Sequence, residues 1–259
     1  MKILFNKYEG TGNDFIIVKN SPPVLDHSDS QLVRRLCDRR FGIGADGLIL
    51  IEECAGYDFR MVYFNCDGLP STMCGNGGRC AAHYVMKNIT GFRDLTFMTS
   101  DGAHSARHKG GDNIEISIRD VSDFSETSDG IVLNTGVPHL VVFADNIDEA
   151  DLTATARPLR HSPVYAPEGV NVNLVEIKGE QLKVRTYERG VEDETLACGT
   201  GVTASAIAAA IKGKIVTNDI MVKVRGGILS VRFSLAAGGA TDIRLSGPAT
   251  FVYTGEIEL

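Results

Sequence analysis

Apolar and polar positions alternate in short runs along most of the chain. Segments 3–8, 15–19, 48–52, 59–64 and 95–99 carry β-branched or aromatic residues at strand spacing, and 113–119 is a near-ideal half-buried alternation. The same pattern predicts strands at 131–134, 140–144, 172–177, 182–187, 220–225, 228–234 and 243–245. Helical spacing is rarer. Ser28-Asp29-Ser30 offers N-cap candidates for a helix over 31–37 that ends before Phe41-Gly42, and a second helix is predicted near 148–157. The polar, acidic stretch 120–130 reads as a passage between two halves.

The two remaining helices begin at near-copies of one another. Met73-Cys74-Gly75-Asn76-Gly77 opens a small-residue stretch that ends near Asn88, and Ala197-Cys198-Gly199-Thr200-Gly201 opens another that ends near Lys212. Positions 74 and 198 lie close to half a chain apart, which favours two domains over one. A helix surrounded by sheet needs small side chains, so each half is predicted to be a curled sheet wrapped around its Ala- and Gly-rich helix.

Composition narrows the function class. With 43% hydrophobic residues there is ample material for packed cores, while a formal charge of −7 and no basic cluster argue against nucleic-acid binding. No apolar run approaches a membrane span, and Met1-Lys2-Ile3-Leu4-Phe5-Asn6-Lys7 turns polar too early for a signal peptide, so a cytoplasmic protein is expected. Six cysteines without paired CxxC spacing suggest neither a zinc site nor, in a reducing compartment, disulfides. Cys37, Cys54, Cys66 and Cys80 read as small hydrophobes used for packing.

Cys74 and Cys198 are different because of where they stand. A helix start presents amide N–H groups outside the helical ladder and the positive end of the dipole, which eases thiol ionisation and can hold a carboxylate. Two such ends can clamp one carboxylate with a sulfur on each side of the adjacent carbon. Inverting an amino acid at its α-carbon needs that arrangement: a base on one face, an acid on the other, and no cofactor. The other polar segments have plain structural readings when taken singly. Gly12-Asn13-Asp14-Phe15 and Asn65-Cys66-Asp67-Gly68 read as turns, Glu188-Arg189 as a solvated strand end, and His139 after Pro138 as a structural histidine.

Taken in order, the segments Gly12-Asn13-Asp14-Phe15, Phe41-Gly42-Ile43-Gly44-Ala45-Asp46-Gly47, Asn65-x-Asp67-Gly68, Met73 to Cys80, Tyr187-Glu188-Arg189-Gly190 and Ala197 to Gly201 resemble the diaminopimelate epimerase family over essentially the whole chain. The resemblance implies an α/β fold of two pseudo-symmetric domains, each a barrel-like, mostly antiparallel sheet around a central helix, with the active site in the cleft between them. The domains would be 1–118, rejoined by the C-terminal strand 251–259, and 119–250. It implies a PLP-independent isomerase that interconverts LL- and meso-2,6-diaminopimelate for lysine and peptidoglycan precursors, without cofactor or metal. Cys74 and Cys198 would be the acid–base pair. Gly75, Asn76, Gly199 and Thr200 would hold the reacting carboxylate, and Asn13, Asn65, Asn171, Glu188 and Arg189 the rest of the substrate. Arg189 would pair with the distal carboxylate, and His139 and Glu188 would tune protonation. Members of the family often form dimers, so a homodimer is a candidate assembly.

This chain departs from the family pattern in three places. It has Gly136-Val137-Pro138-His139 where Gly-Asn-Pro-His is usual, Gly47 where some members carry Gln, and one extra residue in Val191-Glu192-Asp193-Glu194, which predicts a longer loop. A proline racemase-like enzyme is the rival isomerase. Outside that class the rivals are a thiol redox or amino-acid-binding protein and, more remotely, a pyridoxal-phosphate enzyme, for which the motif loops offer no Schiff-base lysine.

Overall fold

A computed structural model describes residues 2–258. In chain order the first part runs β1 (Lys2–Gly10), β2 (Asn13–Lys19), α1 (Ser30–Cys37), β3 (Gly47–Cys54), β4 (Tyr57–Asn65), α2 (Gly75–Val85), β5 (Asp94–Thr99), β6 (Gly102–Gly110) and β7 (Asn113–Ser117). Next come β8 (Phe124–Glu126), β9 (Ile131–Asn134), β10 (Pro138–Phe143), α3 (Leu152–Arg160), β11 (Asn171–Lys178), β12 (Gln181–Glu188) and β13 (Asp193–Thr195). The chain closes with α4 (Gly199–Ile211), β14 (Asp219–Val224), β15 (Gly227–Ala236), β16 (Gly239–Pro248) and β17 (Thr250–Glu258). It divides into two compact units, Met1–Ile116 with Gly247–Leu259, and Ser117–Ser246.

In the first unit the strands lie in the order β17-β1-β2-β3-β4-β5-β6-β7, with β2–β3 and β4–β5 parallel and the other pairs antiparallel. The second unit has the order β8-β9-β10-β11-β12-β14-β15-β16, with β13 added to the end of β12. Its parallel pairs, β10–β11 and β12–β14, occupy the matching places. The edges of each sheet are drawn together. Ala249 N, just before β17, donates to Asp112 O, just before β7, and Val121, just before β8, bridges to Ala240 in β16. Such contacts cover one end of each open edge.

The strands that lie between two helices are apolar on both faces. Strand β2 reads Phe15-Ile16-Ile17-Val18, all buried: Ile16 and Val18 join Leu48 and Leu50 beneath Val33, Leu36 and Cys37 of α1, while Phe15 and Ile49 reach Gly77 of α2. Such strands read as continuous apolar runs rather than alternations. In the second unit α3 places Leu152 and Ala156 on Leu140, Val172, Leu174 and Tyr187. The central helices are enclosed: every residue of α2 is buried, as are ten of α4 from Gly199 to Ala209. A helix with no wet face sits inside its domain, which is the predicted arrangement of small-residue helices within curled sheets.

Some local predictions needed adjustment. The first turn is Thr11-Gly12, both at positive φ, and Asn13 pairs with Gly10 as the first residue of β2. That is a two-residue hairpin of the type whose twist matches its strands, so Asn13 is a strand residue. Helix α3 starts at Leu152 because the Asp151 carboxylate caps Ala154 N at 3.0 Å, and it continues to Arg160. His139 lies within β10. The acidic passage contains β8, paired with β9. The extra residue near Glu192 takes φ 57° and leads into β13. Cys37 and Cys80 are buried as expected of packing residues, Cys54 is half-buried, and Cys66 is exposed at the Asn65–Gly68 turn, so packing is not its role.

Candidate active site

Both candidate cysteines occupy N-cap positions in extended backbone, Cys74 at φ −89°, ψ 123° and Cys198 at φ −118°, ψ 108°. The first helical bonds are Gly78 N to Cys74 O at 2.7 Å and Val202 N to Cys198 O at 2.9 Å. The amides of Gly75 and Asn76, and of Gly199 and Thr200, therefore stand outside the helical ladder at the positive end of each dipole. Neither first turn carries an acidic side chain that would compete for an anion.

At the first junction Asn13 is the organiser. Its Nδ2 donates to Asp46 Oδ2 at 2.6 Å, which leaves Oδ1 facing Asn76 Nδ2 at 3.4 Å and Cys74 Sγ at 3.7 Å. Asp46 is held in turn by Arg39, whose guanidinium bridges Asp14 Oδ1 at 2.6 Å and Asp46 Oδ1 at 2.7 Å. Burial alone would raise the Asp14 pKa, but hydrogen bonds from Arg39 and Lys7 outweigh it and hold the carboxyl down at about 2. Asn76 is only 1% exposed, and a buried guanidinium, Arg79, donates to its Oδ1 at 3.1 Å. Asn65 ends β4, its side-chain amide taking no hydrogen bond among the described residues.

At the second junction the groups bonded around the sulfur are neutral. Thr200 Oγ1 stands 3.4 Å from Cys198 Sγ and 3.0 Å from His139 Nε2. Asn173 Nδ2 donates to Leu140 O and to His139 Nδ1, both at 3.1 Å. Its Oδ1 accepts from Thr186 Oγ1 at 2.9 Å. This network assigns the amide's orientation and leaves His139 Nδ1 as an acceptor, so Nε2–H donates to Thr200 and the threonine hydroxyl is available to the sulfur. His139 has no solvent exposure, and burial, then the Arg189 charge, pushes its pKa down to about 3. Gly201 is required here: a Cβ would lie 2.4 Å from Asn173 Oδ1 and 3.3 Å from His139 Cε1.

The strand-end arm is pinned from its backbone. Asn171 Oδ1 accepts from Arg189 N at 2.7 Å, and the half-buried Arg189 guanidinium reaches Glu168 O at 3.3 Å. Glu188 O accepts from Glu192 N at 2.8 Å, and Glu192 Oε1 accepts from Gly190 N at 3.0 Å and Arg160 Nη2 at 2.9 Å. The structure thus gathers Asn13, Cys74 and Asn76 around one helix start, His139, Cys198 and Thr200 around the other, and Asn171 with Glu188 and Arg189 at the end of β12. The residues that sequence reading passed over are those behind these groups: Arg39, Asp46 and Arg79 in the first unit, Asn173 and Glu192 in the second. Asp46 and Arg79 stand inside quoted motifs, but nothing local marks what they hold.

Comparison with known proteins places the chain in a family. The family model for diaminopimelate epimerase matches residues 5–122 and 131–252. A diaminopimelate epimerase of Flavobacterium psychrophilum is 46% identical over 248 residues, covering 95% of this chain and 97% of that protein. One from Chlorobaculum tepidum is 41% identical over 96% of this chain and 99% of its own length. Among solved structures, a Bacillus anthracis phenazine biosynthesis protein of the PhzF family covers both chains fully at TM-score 0.79 and 14% identity. A probable proline racemase from Agrobacterium radiobacter gives TM-score 0.70 at 15% identity, over 99% of this chain and 93% of its own. At such identities the structures speak for the fold, a two-domain α/β architecture shared with epimerases and isomerases, while the close relatives and the family model speak for descent: this chain belongs to the diaminopimelate epimerase family of isomerases.

Proposed function

We propose that this enzyme interconverts LL- and meso-2,6-diaminopimelate, with Cys74 and Cys198 acting as a two-base pair on the α-carbon. The observation that carries the reading is the repeated Cys-Gly helix start, set in matching positions of two units with one strand pattern. The helix-start amides at Gly75-Asn76 and Gly199-Thr200 suit the reacting carboxylate. One sulfur, as thiolate, takes the α-proton. The electron pair left on carbon spreads into the carboxylate, whose growing charge the aligned N–H groups stabilise. The other sulfur, as thiol, delivers its proton to the opposite face, and the two sulfurs exchange protonation states. The step draws on no further group.

In this reading Arg189 pairs with the distal carboxylate, Asn13, Asn65, Asn171 and Glu188 bind the remaining polar groups, and His139 with Glu188 sets the protonation of the site. A neutral His139 supports that role, because a donor at Nε2 orients Thr200 without adding charge. The enzyme would thereby supply a precursor of lysine and of peptidoglycan.

Proton NMR of LL-diaminopimelate with the purified, reduced enzyme in deuterated water tests the reading. Loss of the α-proton signal with appearance of the meso form is the expected result, and no exchange with no meso product would overturn it. Proline under the same conditions tests the rival isomerase. Turnover of proline that survives Arg189→Ala would favour a monocarboxylate substrate, for which a distal guanidinium is superfluous.

A further inference from the structure

Arg79 lies one turn into α2 with no solvent exposure, and among the described residues no carboxylate comes within ion-pair distance of it. Its donors go to neutral oxygens: Nη1 to Gly75 O at 3.1 Å, Nη2 to Asn76 Oδ1 at 3.1 Å and Thr11 Oγ1 at 2.7 Å, and Nε to Pro248 O at 3.3 Å. Leaving a buried cation without a counterion is destabilising. A neutral amide, with two N–H donors, could make part of this set without burying a charge. The charge therefore needs a function.

Among the described residues, the titratable groups whose charge reaches the guanidinium are Cys80 of its own helix, Cys74 at that helix's N-cap and Glu9 of β1. Glu9 is engaged in the hairpin, accepting from Gly12 N at 2.9 Å. Cys80 has no exposure and burial pushes its thiol far up, so it stays neutral. From β2 the neutral Asn13 faces Cys74, and the charges behind it, Asp46, Asp14, Arg39 and Lys7, are paired among themselves. The group left for Arg79 to act on is the half-buried Cys74.

The second unit shows the same helix start with no guanidinium bonded into its first turn; the charge that reaches this junction is that of the half-buried Arg189 at the end of β12, acting on His139. Aligned on the two cysteines, Thr203 stands where Arg79 stands, and its Oγ1 donates to Gly199 O at 2.9 Å as Arg79 Nη1 donates to Gly75 O. Thr200, in the place of Asn76, is held by the neutral His139.

We propose that Arg79 is a positioning residue that makes the two helix starts chemically unequal, fixing Asn76 beside Cys74 and holding that thiol ionised more readily than Cys198. Its catalytic meaning rests on the two-thiol reading above, but the inequality is measurable without turnover. Site-resolved iodoacetamide alkylation, followed by peptide mass spectrometry from pH 5.5 to 9.5, reads the thiolate fraction of each cysteine, with exposed Cys66 as the internal reference. In the wild type the Cys74 midpoint is expected about one pH unit below that of Cys198. In Arg79→Met it is expected to rise by about one unit, a tenfold loss of Cys74 rate well below the midpoint, with Cys198 and Cys66 unmoved. Arg79→Lys is expected to keep most of the shift.

Equal midpoints for Cys74 and Cys198 in the wild type overturn the proposal, and this comparison stands even if Arg79→Met fails to fold. A folded Arg79→Met with an unmoved Cys74 profile overturns it as well. α-Proton exchange of diaminopimelate, measured on the same preparation, separates the two claims. Unequal thiols without exchange remove the epimerase reading alone, and exchange with equal thiols removes the role of Arg79 alone.

Discussion

Helix α2 enters its unit at Cys74 with a guanidinium, two amides and a carboxylate behind the sulfur, whereas α4 enters at Cys198 with a hydroxyl, a neutral imidazole and a third amide. Both are the same backbone solution, a cysteine at N-cap followed by glycine in a helix closed in by sheet. The contrast is that a repeated motif keeps its backbone geometry while the side chains around it differ. The proposed two-base reaction would use both aspects, one backbone geometry at each sulfur and one sulfur ionised while the other is not.

Replacing either sulfur bears hardest on the comparison. Cys74→Ser and Cys198→Ser should each lower the epimerisation rate by roughly 10²- to 10⁴-fold, the usual range for a positioned acid or base. NMR progress curves measure this, and wild-type turnover in either variant would remove that sulfur from the pair.

The paired helix glycines give the next effect. Gly201→Ala forces a Cβ to 2.4 Å from Asn173 Oδ1 within a closed network, which should cost roughly 1–3 kcal/mol by overpacking. Its counterpart Gly77 would meet the side-chain ends of Ile49 and Met61 at 3.2 Å, which can give way. With the gain of about 1 kcal/mol in helix propensity, Gly77→Ala should be near neutral. Denaturant unfolding of both variants decides, and equal losses would mean that the two helix starts are equally tight.

Acid should then weaken the second network through His139. Its folded-state pKa of about 3 lies below the unfolded value, so the unfolded chain binds the extra proton and stability falls as pH drops from about 6.5 towards 3. His139→Gln should flatten that part of the stability–pH curve, whereas Asp14, lowered from 3.8 to about 2, contributes stability that is lost as pH falls from about 4 towards 2. An unchanged slope between pH 4 and 6.5 in His139→Gln would show that the imidazole is not buried neutral. The smallest effect belongs to Arg39→Ala. That guanidinium is 59% exposed, so its loss should shift stability by less than about 1 kcal/mol, as thermal unfolding will show.

The parts of this molecule that are local in sequence were legible in it. Cys74-Gly75 and Cys198-Gly199 announce themselves because a helix start is built by adjacent residues, and the small residues after them foretell an enclosed helix. Strand β6 was not foreseen, since Ala103, Ser105 and Arg107 alternate with His104 and Ala106, a face too weakly apolar to register as a strand. Strand β8 was hidden for a similar reason, three residues inside an acidic stretch that only pairing with β9 makes a strand. The supports of the site were the least legible. Arg79 meets Thr11 and Pro248 only after the chain has folded, and Asn13 finds Asp46 in the same way. A buried cation among neutral oxygens has no signature along the chain, because its meaning lies in what the fold withholds from it.

Early-time isotope partitioning is the most direct test of the central claim that each face of the α-carbon has its own sulfur. With LL-diaminopimelate, the enzyme in deuterated water and conversion held to a few per cent, a sulfur on each face gives meso product carrying deuterium at the inverted carbon while recovered substrate keeps its proton. A single base working on both faces would instead return the original proton to the product or deuterate the substrate as fast as it inverts, and either result would contradict the account.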